Sequence, residues 1–584
     1  MQFRQAILVA DGRTYQLEPG KSNSFETFFA DFQRTDILGE HLREAGDQYS
    51  IFLHPKQDIT VQLLEIQFDV LLSDAARFFA NGYQSWSQSG WMPVTGSIPA
   101  LRPFSTGRFS HYGDDWMTGI PRGNGRLHSW SYTLMHNGAS DKVTFLGSLN
   151  ESTGFTLFLY NRSDNTLTVR KDMAGLQLSH SFPTLDFAVL SGPEKDVYAA
   201  YFQLLGINKV SRQPNMVGWG SAGITPRNNA KSLDRSLEDF SALHQTLYAP
   251  ESATEKPAAF FEAGDGWQSS VGDWLSAKED MGSLAAQVRE KGLKPGIWLA
   301  PFVASSNSEL VKKHSDWLLK DTKNKPIKAG WNTQWGGWLY ALDFYHREVQ
   351  AWLAGVFHVV CEKWGFERLH LDYLYAVCLA PPPGKTRGQV MHDAMQFLRE
   401  LVGKRFFLAD GVPLGSALGV ADACRVGAPL KPVWERKLET FLHRRERGGA
   451  LSTLRSALHR WPLWSAFGVD SGGIILQKEG QKLSAEQQYT LLIINVLLGN
   501  YLCSSDDVSA WTSEQTAEYT EAVALLESRV NSVTEIQEDL FRINFELRSD
   551  TYNAFCNLSG KRRQIGPELL LQPYETIVLA LAGF

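Results

Sequence analysis

The sequence predicts a multidomain protein of mixed α/β and β class: an N-terminal β-sandwich, a central (β/α)8 barrel and a C-terminal antiparallel β domain. Three observations predict it. Residues 1–206 carry short segments of alternating polarity between clusters of Gly, Asn, Asp and Ser. From 207 to 528, apolar runs of strand length alternate with amphipathic stretches. From 529 to 584 the two-residue alternation returns.

In the first region, Thr60 to Phe68 and Gly154 to Tyr160 are examples of the alternating segments. Such a set of strands buries one face only by packing sheet on sheet. In the second region the strand candidates are Met216–Ser221, Ala258–Glu262, Gly296–Phe302, Leu369–Tyr373, Phe406–Asp410, Ala423–Val426, Leu463–Val469 and Tyr501–Ser504. Helical candidates between them include Ser283 to Glu290, closed by Gly292, and Arg347 to Trp364. Eight strand–helix units over about 300 residues fit a (β/α)8 barrel. A doubly wound sheet would want a glycine-rich phosphate turn after its first strand, and Gly218-Trp219-Gly220-Ser221 is not one. In the third region, Phe541 to Leu547 and Thr576 to Leu581 are strand candidates.

Composition narrows the function. Of 584 residues, 43% are hydrophobic and 21% charged, enough for large cores. The net charge of −6 lacks the basic excess of a nucleic-acid binder. Arg444, Arg445 and Arg447 read as a solvated helix face. The longest apolar stretch, Leu491 to Gly499, contains Asn495 and is too short to cross a bilayer, so it reads as a buried helix and no membrane partner is expected. The opening residues lack a secretory apolar core. The five cysteines are scattered, with no metal-site spacing. A reduced, cytoplasmic setting is expected, with no metal and no cofactor. The chain could form a homo-oligomer.

Barrel chemistry sits at the C-terminal ends of the strands. Asp265, Asp372, Asp410, Asp470, Asp506 and Asp507 all fall there. Trp267, Trp335, Trp338, Tyr373 and Tyr375 stand close by in sequence. Converging carboxylates with aromatic walls match glycoside hydrolysis, in which one carboxylate attacks the anomeric carbon and another moves the leaving-group proton. A strand-end Asp is also a common helix cap, Asp506-Asp507 reads that way first, and Asp343 reads as a loop or cap residue. Asp372 ranks highest as a catalytic group. It stands inside Leu371-Asp372-Tyr373-Leu374-Tyr375, where an ionised side chain is costly unless partnered.

Further motifs resemble α-galactosidases of glycoside hydrolase family 36. They are Phe260 to Gln268 with Val271 to Trp274, Gly292 to Phe302, His314 to Trp317, Tyr340 to Asp343, Leu369 to Tyr373 and Asn81 to Trp86. Their order along nearly the whole chain matches the family. The resemblance implies a β-supersandwich before the barrel and retaining hydrolysis, without a cofactor, of a small glycoside or oligosaccharide. It also implies Asp372 as nucleophile, Trp86 and Trp335 as sugar-lining aromatics, Asp265 as a hydroxyl-binding carboxylate and Arg425 beside the sugar.

The chain departs from the family pattern at several of these positions. Gly264 replaces the first of a tandem Asp pair, His370 replaces a lysine two residues before the nucleophile, and Ala222-Gly223 replaces an aromatic pair. Pro429 occupies the place of the acid/base Asp. Three readings follow. The proton donor has moved, with Asp410 preferred over Asp422, Glu435 and Asp470. The specificity has changed to another α-glycoside or a decorated one. Or the scaffold binds sugar without turnover. His370 shares a face with Asp372, so it either contacts sugar, tunes the carboxylate or is structural. Trp267 completes the set of expected sugar contacts.

Overall fold

In the computed structural model, residues 1–37, 46–117, 119–138, 142–173, 175–207, 215–221, 232–247, 257–567 and 569–581 are described. The strands from Gln2 to Pro193 form two antiparallel sheets, of seven and eight strands. Side chains alternate between an apolar layer (Phe32, Ile51, Leu64, Phe68, Phe158, Phe187) and the outer faces, as two-sheet packing requires. A separate four-stranded antiparallel sheet lies between Arg529 and Ala580.

Between these regions, eight parallel strands form a nearly closed barrel. They are β1 (Met216–Gly220), β2 (Ala258–Ala263), β3 (Lys294–Leu299), β4 (Arg368–Leu371), β5 (Phe406–Ala409), β6 (Ala423–Arg425), β7 (Gly468–Asp470) and β8 (Tyr501–Ser504). Each pairs with the next from β1 to β7, and β8 pairs with β1. The seam between β7 and β8 is drawn together by Asn500, whose N–H donates to the Val469 carbonyl and whose side-chain oxygen accepts from the Val469 N–H.

Seven of the eight strand candidates overlap a strand closely. The seventh is shifted: Trp461–Ser465 is a 3-10 turn held by Pro462, and only Gly468–Asp470 pairs. The amphipathic run after Asp280 is a helix, with the Asp280 side chain accepting from the Ser283 N–H at its start. The apolar stretch with Asn495 lies in the buried helix Ala485–Leu498. Among the described residues, no helix is long and apolar enough to cross a membrane. The arginine cluster is no helix face. Arg445 and Arg447 donate to Gln88, and Arg444 lies over Tyr112.

The N-terminal region reaches the barrel through residues 81–89. Buried Arg460 fastens this loop: its guanidinium donates to the Asn81 side chain and to the carbonyls of Ser85 and Val426. The Ser85 N–H donates to the carbonyl of Val412, just past β5. A loop carrying a tryptophan is thereby pinned over the C-terminal ends of β5 and β6.

Candidate active site

Strand alternation sends Glu262, Trp298, Arg368, His370, Leu408 and Arg425 into the barrel, because residues two apart share a face. Asp372 and Asp410 follow β4 and β5 directly, at the end where barrel enzymes build their sites. The floor, at the opposite end, is apolar: Met216, Phe260, Leu408, Ala423 and Tyr501.

Asp372 is 6% exposed. Its Oδ2 accepts from the indole N–H of Trp298 at 3.1 Å, and its Oδ1 from the backbone N–H of Tyr373 at 2.6 Å. Tyr373 is left-handed, with φ 55°. That conformation costs a non-glycine residue about 1–3 kcal/mol, and the surrounding packing over-determines it. Gly411 also has positive φ, and a Cβ there would come within 3.2 Å of Asp372 Oδ1 and 2.9 Å of the Trp86 ring. Burial, then the neighbouring Asp410, push the Asp372 carboxyl up to about 7. His370 and the Tyr373 N–H oppose that rise.

Aromatic rings wall the site. Trp86 stands edge-on to Tyr373 at 4.9 Å, and Trp335 lies 5.5 Å from Tyr373 and 5.2 Å from Trp298. The indole N–H of Trp335 donates to Asp265 Oδ2 at 3.0 Å, so these two expected sugar contacts stand side by side. Trp267 does not join them. It is buried behind the wall, donating to the Trp298 carbonyl at 2.9 Å and packing on Trp274 and Trp364. Ala222 and Gly223 lie outside the described residues.

Below the aromatic wall runs a chain of charges. Arg368 donates to Glu262, and Glu262 also meets His370 Nδ1 at 2.8 Å. His370 Nε2 lies 3.1 Å from Asp410 Oδ2. Arg425 is 2.8 Å from that same oxygen and 2.9 Å from Asp470 Oδ2. Burial acts against every charge here, yet the partners outweigh it. Arg368 and His370 hold the Glu262 carboxyl down to about 2, and Glu262 with Asp410 raises His370 to about 9. His370 therefore has both ring nitrogens committed to carboxylates and neither left for a sugar hydroxyl.

Asp410 is the expected proton donor. It is fully buried and accepts from Trp86 Nε1 at 2.6 Å and from the Gly411 N–H at 2.9 Å, besides meeting His370 and Arg425. Burial alone would raise its carboxyl, but Arg425, His370 and Trp86 hold it below the usual range. These partners favour the ionised form of Asp410.

The other candidate donors are engaged elsewhere. Asp422 faces away from the interior and binds Arg399 and the Phe407 N–H. Glu435 is exposed and accepts from Thr440. Asp470 holds Arg425 and the Gly472 N–H. Asp507 caps a 3-10 turn, and Asp343 is a loop residue accepting from the Tyr345 N–H ahead of the helix that His346 begins. Asp506 instead accepts from the N–H groups of Leu476 and Gln477. Outside the barrel strands, the ligand atoms of Asp316, His346 and Glu348 lie within 4.8 Å of one another and could hold a cation.

Glu262, Trp298 and Arg368 were not picked out from the sequence. For Glu262 a signal existed: it ends an apolar run, Ala258 to Phe261, where the cost argument applied to Asp372 holds equally. For Trp298, within Gly296-Ile297-Trp298-Leu299, nothing separates a carboxylate donor from a core residue.

A nearly closed parallel barrel with an inward carboxylate at the end of β4 and an aromatic wall defines a glycosidase-type site. Residues 257–398 match the family model described as melibiase. The α-galactosidase AgaA of Geobacillus stearothermophilus is 39% identical over 79 residues, covering 12% of this chain and 11% of that protein. Alpha-galactosidase 1 of Pediococcus pentosaceus is 29% identical over 160 residues, 24% of this chain and 20% of the relative. The matched stretches thus span about a tenth to a fifth of these curated relatives. The solved structure of the Thermus thermophilus α-galactosidase TtGalA with stachyose aligns with a TM-score of 0.67 at 26% identity, covering 89% of this chain and 99% of that one. The structure of the Geobacillus enzyme AgaA aligns with a TM-score of 0.58 at 13% identity over 100% of this chain and 87% of that one, a likeness of fold. The chain is thus similar to α-galactosidases in sequence over part of its length and in fold over most of it.

Proposed function

We propose that the protein is a retaining α-glycoside hydrolase of α-galactosidase type, releasing a terminal α-linked sugar by double displacement with Asp372 as nucleophile. One observation carries this reading. Asp372 stands at the end of β4 with two N–H donors and no ion pair, while Glu262, Asp410 and Asp470, in the charge chain beneath it, are each ion-paired. An unpaired carboxylate at the strand ends is poised to meet the positive charge that develops at an anomeric carbon.

In the first step an Asp372 oxygen bonds to C1 and the leaving oxygen departs. In the second step water attacks C1, the C1–Asp372 bond breaks to free the carboxylate, and the proton lost by the water passes to solvent and balances the one taken up by the departed oxygen. Trp298 and the Tyr373 N–H hold the carboxylate in place. Trp86 and Trp335 supply apolar faces for the ring. Because Asp410 is held ionised, its part is to anchor Trp86, His370 and Arg425 rather than to donate a proton. Hydrolysis should therefore depend steeply on how readily the leaving group departs unprotonated.

A second reading, a sugar-binding protein without turnover, is favoured by Pro429 and by the engagement of every alternative carboxylate named above. One experiment separates the two. A panel of nitrophenyl α-glycosides is assayed for turnover, and a fluorinated α-glycosyl fluoride is used to trap the intermediate. The hydrolase reading expects one glycosyl unit added to the peptide containing Asp372. Measurable sugar binding with neither turnover nor trapping would leave the binding reading standing.

A further inference from the structure

One end of the charge chain lies inside the barrel, below the strand ends. Glu262 is a residue of β2 and is 7% exposed. Its partners in register are Gly220 on β1 and Gly296 on β3, and Gly296 is level with Arg368 on β4. A Cβ at Gly296 would come within 3.2 Å of the Glu262 Cβ, and one at Gly220 within 3.7 Å. Glycine on both flanking strands leaves room for this buried carboxylate.

From Glu262 an unbroken path leads to the wall. Glu262 Oε1 meets His370 Nδ1 at 2.8 Å, His370 Nε2 meets Asp410 Oδ2 at 3.1 Å, and Asp410 Oδ1 accepts from Trp86 Nε1 at 2.6 Å. An ionised carboxylate only accepts hydrogen bonds, and a neutral imidazole has a single N–H. Two carboxylate partners therefore call for a proton on each ring nitrogen. The path closes only as carboxylate, imidazolium, carboxylate and indole. The β4–β5 register sets Leu371 opposite Ala409, so Asp372 and Asp410 follow side by side. Trp86, the last member, lies 4.9 Å from Tyr373 in the wall.

The other groups around the imidazole come from every side of the barrel. Arg368, on its own strand, pairs with Glu262. Arg425 on β6 pairs with Asp410 and with Asp470 on β7. Asp372 follows on β4. The Cys503 thiol on β8 is pushed up by burial and stays neutral. Burial and Arg425 act against a charged imidazole, and Glu262 with Asp410 outweighs them.

We infer that Glu262 is a positioning residue of this site: it keeps His370 protonated on both nitrogens and, through His370 and Asp410, holds the Trp86 indole in the wall. Its role in sugar binding rests on the hydrolase reading, but the state of His370 and Trp86 is measurable with no sugar present.

The test is nitrogen-15 NMR of the full chain, with His370→Gln and Trp86→Phe assigning the two signals. The Asp372→Asn protein is used, so that residue 372 does not titrate. With Glu262 intact, His370 should carry both protons from about pH 6 to 8, and the His370 and Trp86 signals should move together near pH 9. Adding Glu262→Gln, which keeps the shape and removes the charge, should lower the pH of that joint transition by at least one unit, a tenfold change in proton affinity. Glu262→Asp, which keeps the charge, should restore most of it. A singly protonated His370 at pH 7 with Glu262 intact overturns the inference, whether or not Glu262→Gln folds. So does a transition that Glu262→Gln leaves in place, or a Trp86 signal that ignores His370. A merely structural Glu262 would lower stability without moving either titration. In the turnover arm, Glu262→Gln alone should raise KM for 4-nitrophenyl α-D-galactopyranoside several-fold above the new transition and much less below it, with kcat changed less. No hydrolysis by the wild-type chain, together with the expected spectra, overturns the hydrolase reading and leaves the positioning chain in place. Hydrolysis with a neutral His370 does the reverse.

Discussion

The ends of β4 and β5 carry one aspartate each, side by side, both shielded from solvent, and the two have opposite surroundings. Asp410 is gripped by two N–H donors, an imidazole and a guanidinium. Asp372 has two N–H donors and no cation. Burial opposes ionisation in both, so the difference comes entirely from partners. One carboxylate is held toward its ionised form by the neighbours it organises. The other is held near the point where protonation and ionisation balance. Paired carboxylates driven apart in this way take separate roles. Here the separation argues that Asp372 reacts and Asp410 supports.

The most severe test replaces the reactive member. Asp372→Asn should lower kcat by about a thousandfold or more, with sugar binding preserved in calorimetry. Turnover at the wild-type rate would erase the distinction between the two aspartates.

Next in size is the supporting member. Asp410→Asn removes the charge that His370 and Arg425 share, and breaking such a buried pair costs about 3–5 kcal/mol. Denaturant unfolding should record that loss. Natural and activated aryl substrates should slow by similar factors. Selective slowing of the natural substrate would restore Asp410 as a proton donor.

A third test uses pH. Attack needs Asp372 ionised, so kcat/KM should rise with pH through about 7. Its effect on stability has the opposite sign. A carboxyl raised in the fold favours the folded state below its unfolded value near 4, and that contribution is lost as pH rises through about 7. Asp372→Asn should therefore be more thermostable than wild type at pH 8, by a few degrees, ~2–6 °C, and the gap should narrow toward pH 4. A constant gap across that range would mean the carboxyl is not raised.

His370 gives a smaller effect of the same sign. Its folded value near 9 lies above its unfolded value near 6.5, so its contribution is full below 6.5 and lost as pH rises through 9. His370→Gln should flatten the fall in Tm across that window. The smallest expected effect is at Trp86. Trp86→Phe keeps the ring and removes the N–H to Asp410, costing about 1–3 kcal/mol of buried hydrogen bonding and raising KM several-fold. An unchanged KM would separate the loop 81–89 from sugar binding.

Much of the barrel was legible because parallel strands buried on both faces are near-continuous apolar runs, and Phe406 to Ala409 or Tyr501 to Cys503 are short enough to read. The seventh strand was misplaced because Leu463-Trp464-Ser465-Ala466-Phe467 is equally apolar as a turn packed on the core. Asp372 was legible from the cost of a charge in an apolar run. Trp267 and Trp335 were not distinguishable. Both are tryptophans in glycine-rich loops, and only the packing buries one behind the wall and leaves the other in it.

What the sequence determined by itself is the order of the strands, the inward face of each and the loss of carboxylates at Gly264 and Pro429, because side-chain direction in a strand depends only on position along the chain. What the tertiary structure decided is the state of each charge. The charge that Asp410 carries and whether His370 is free depend on groups 40, 108 or 324 residues away, brought together only when the cylinder closes. Electrostatic roles are set by distance in space, and no local pattern encodes that.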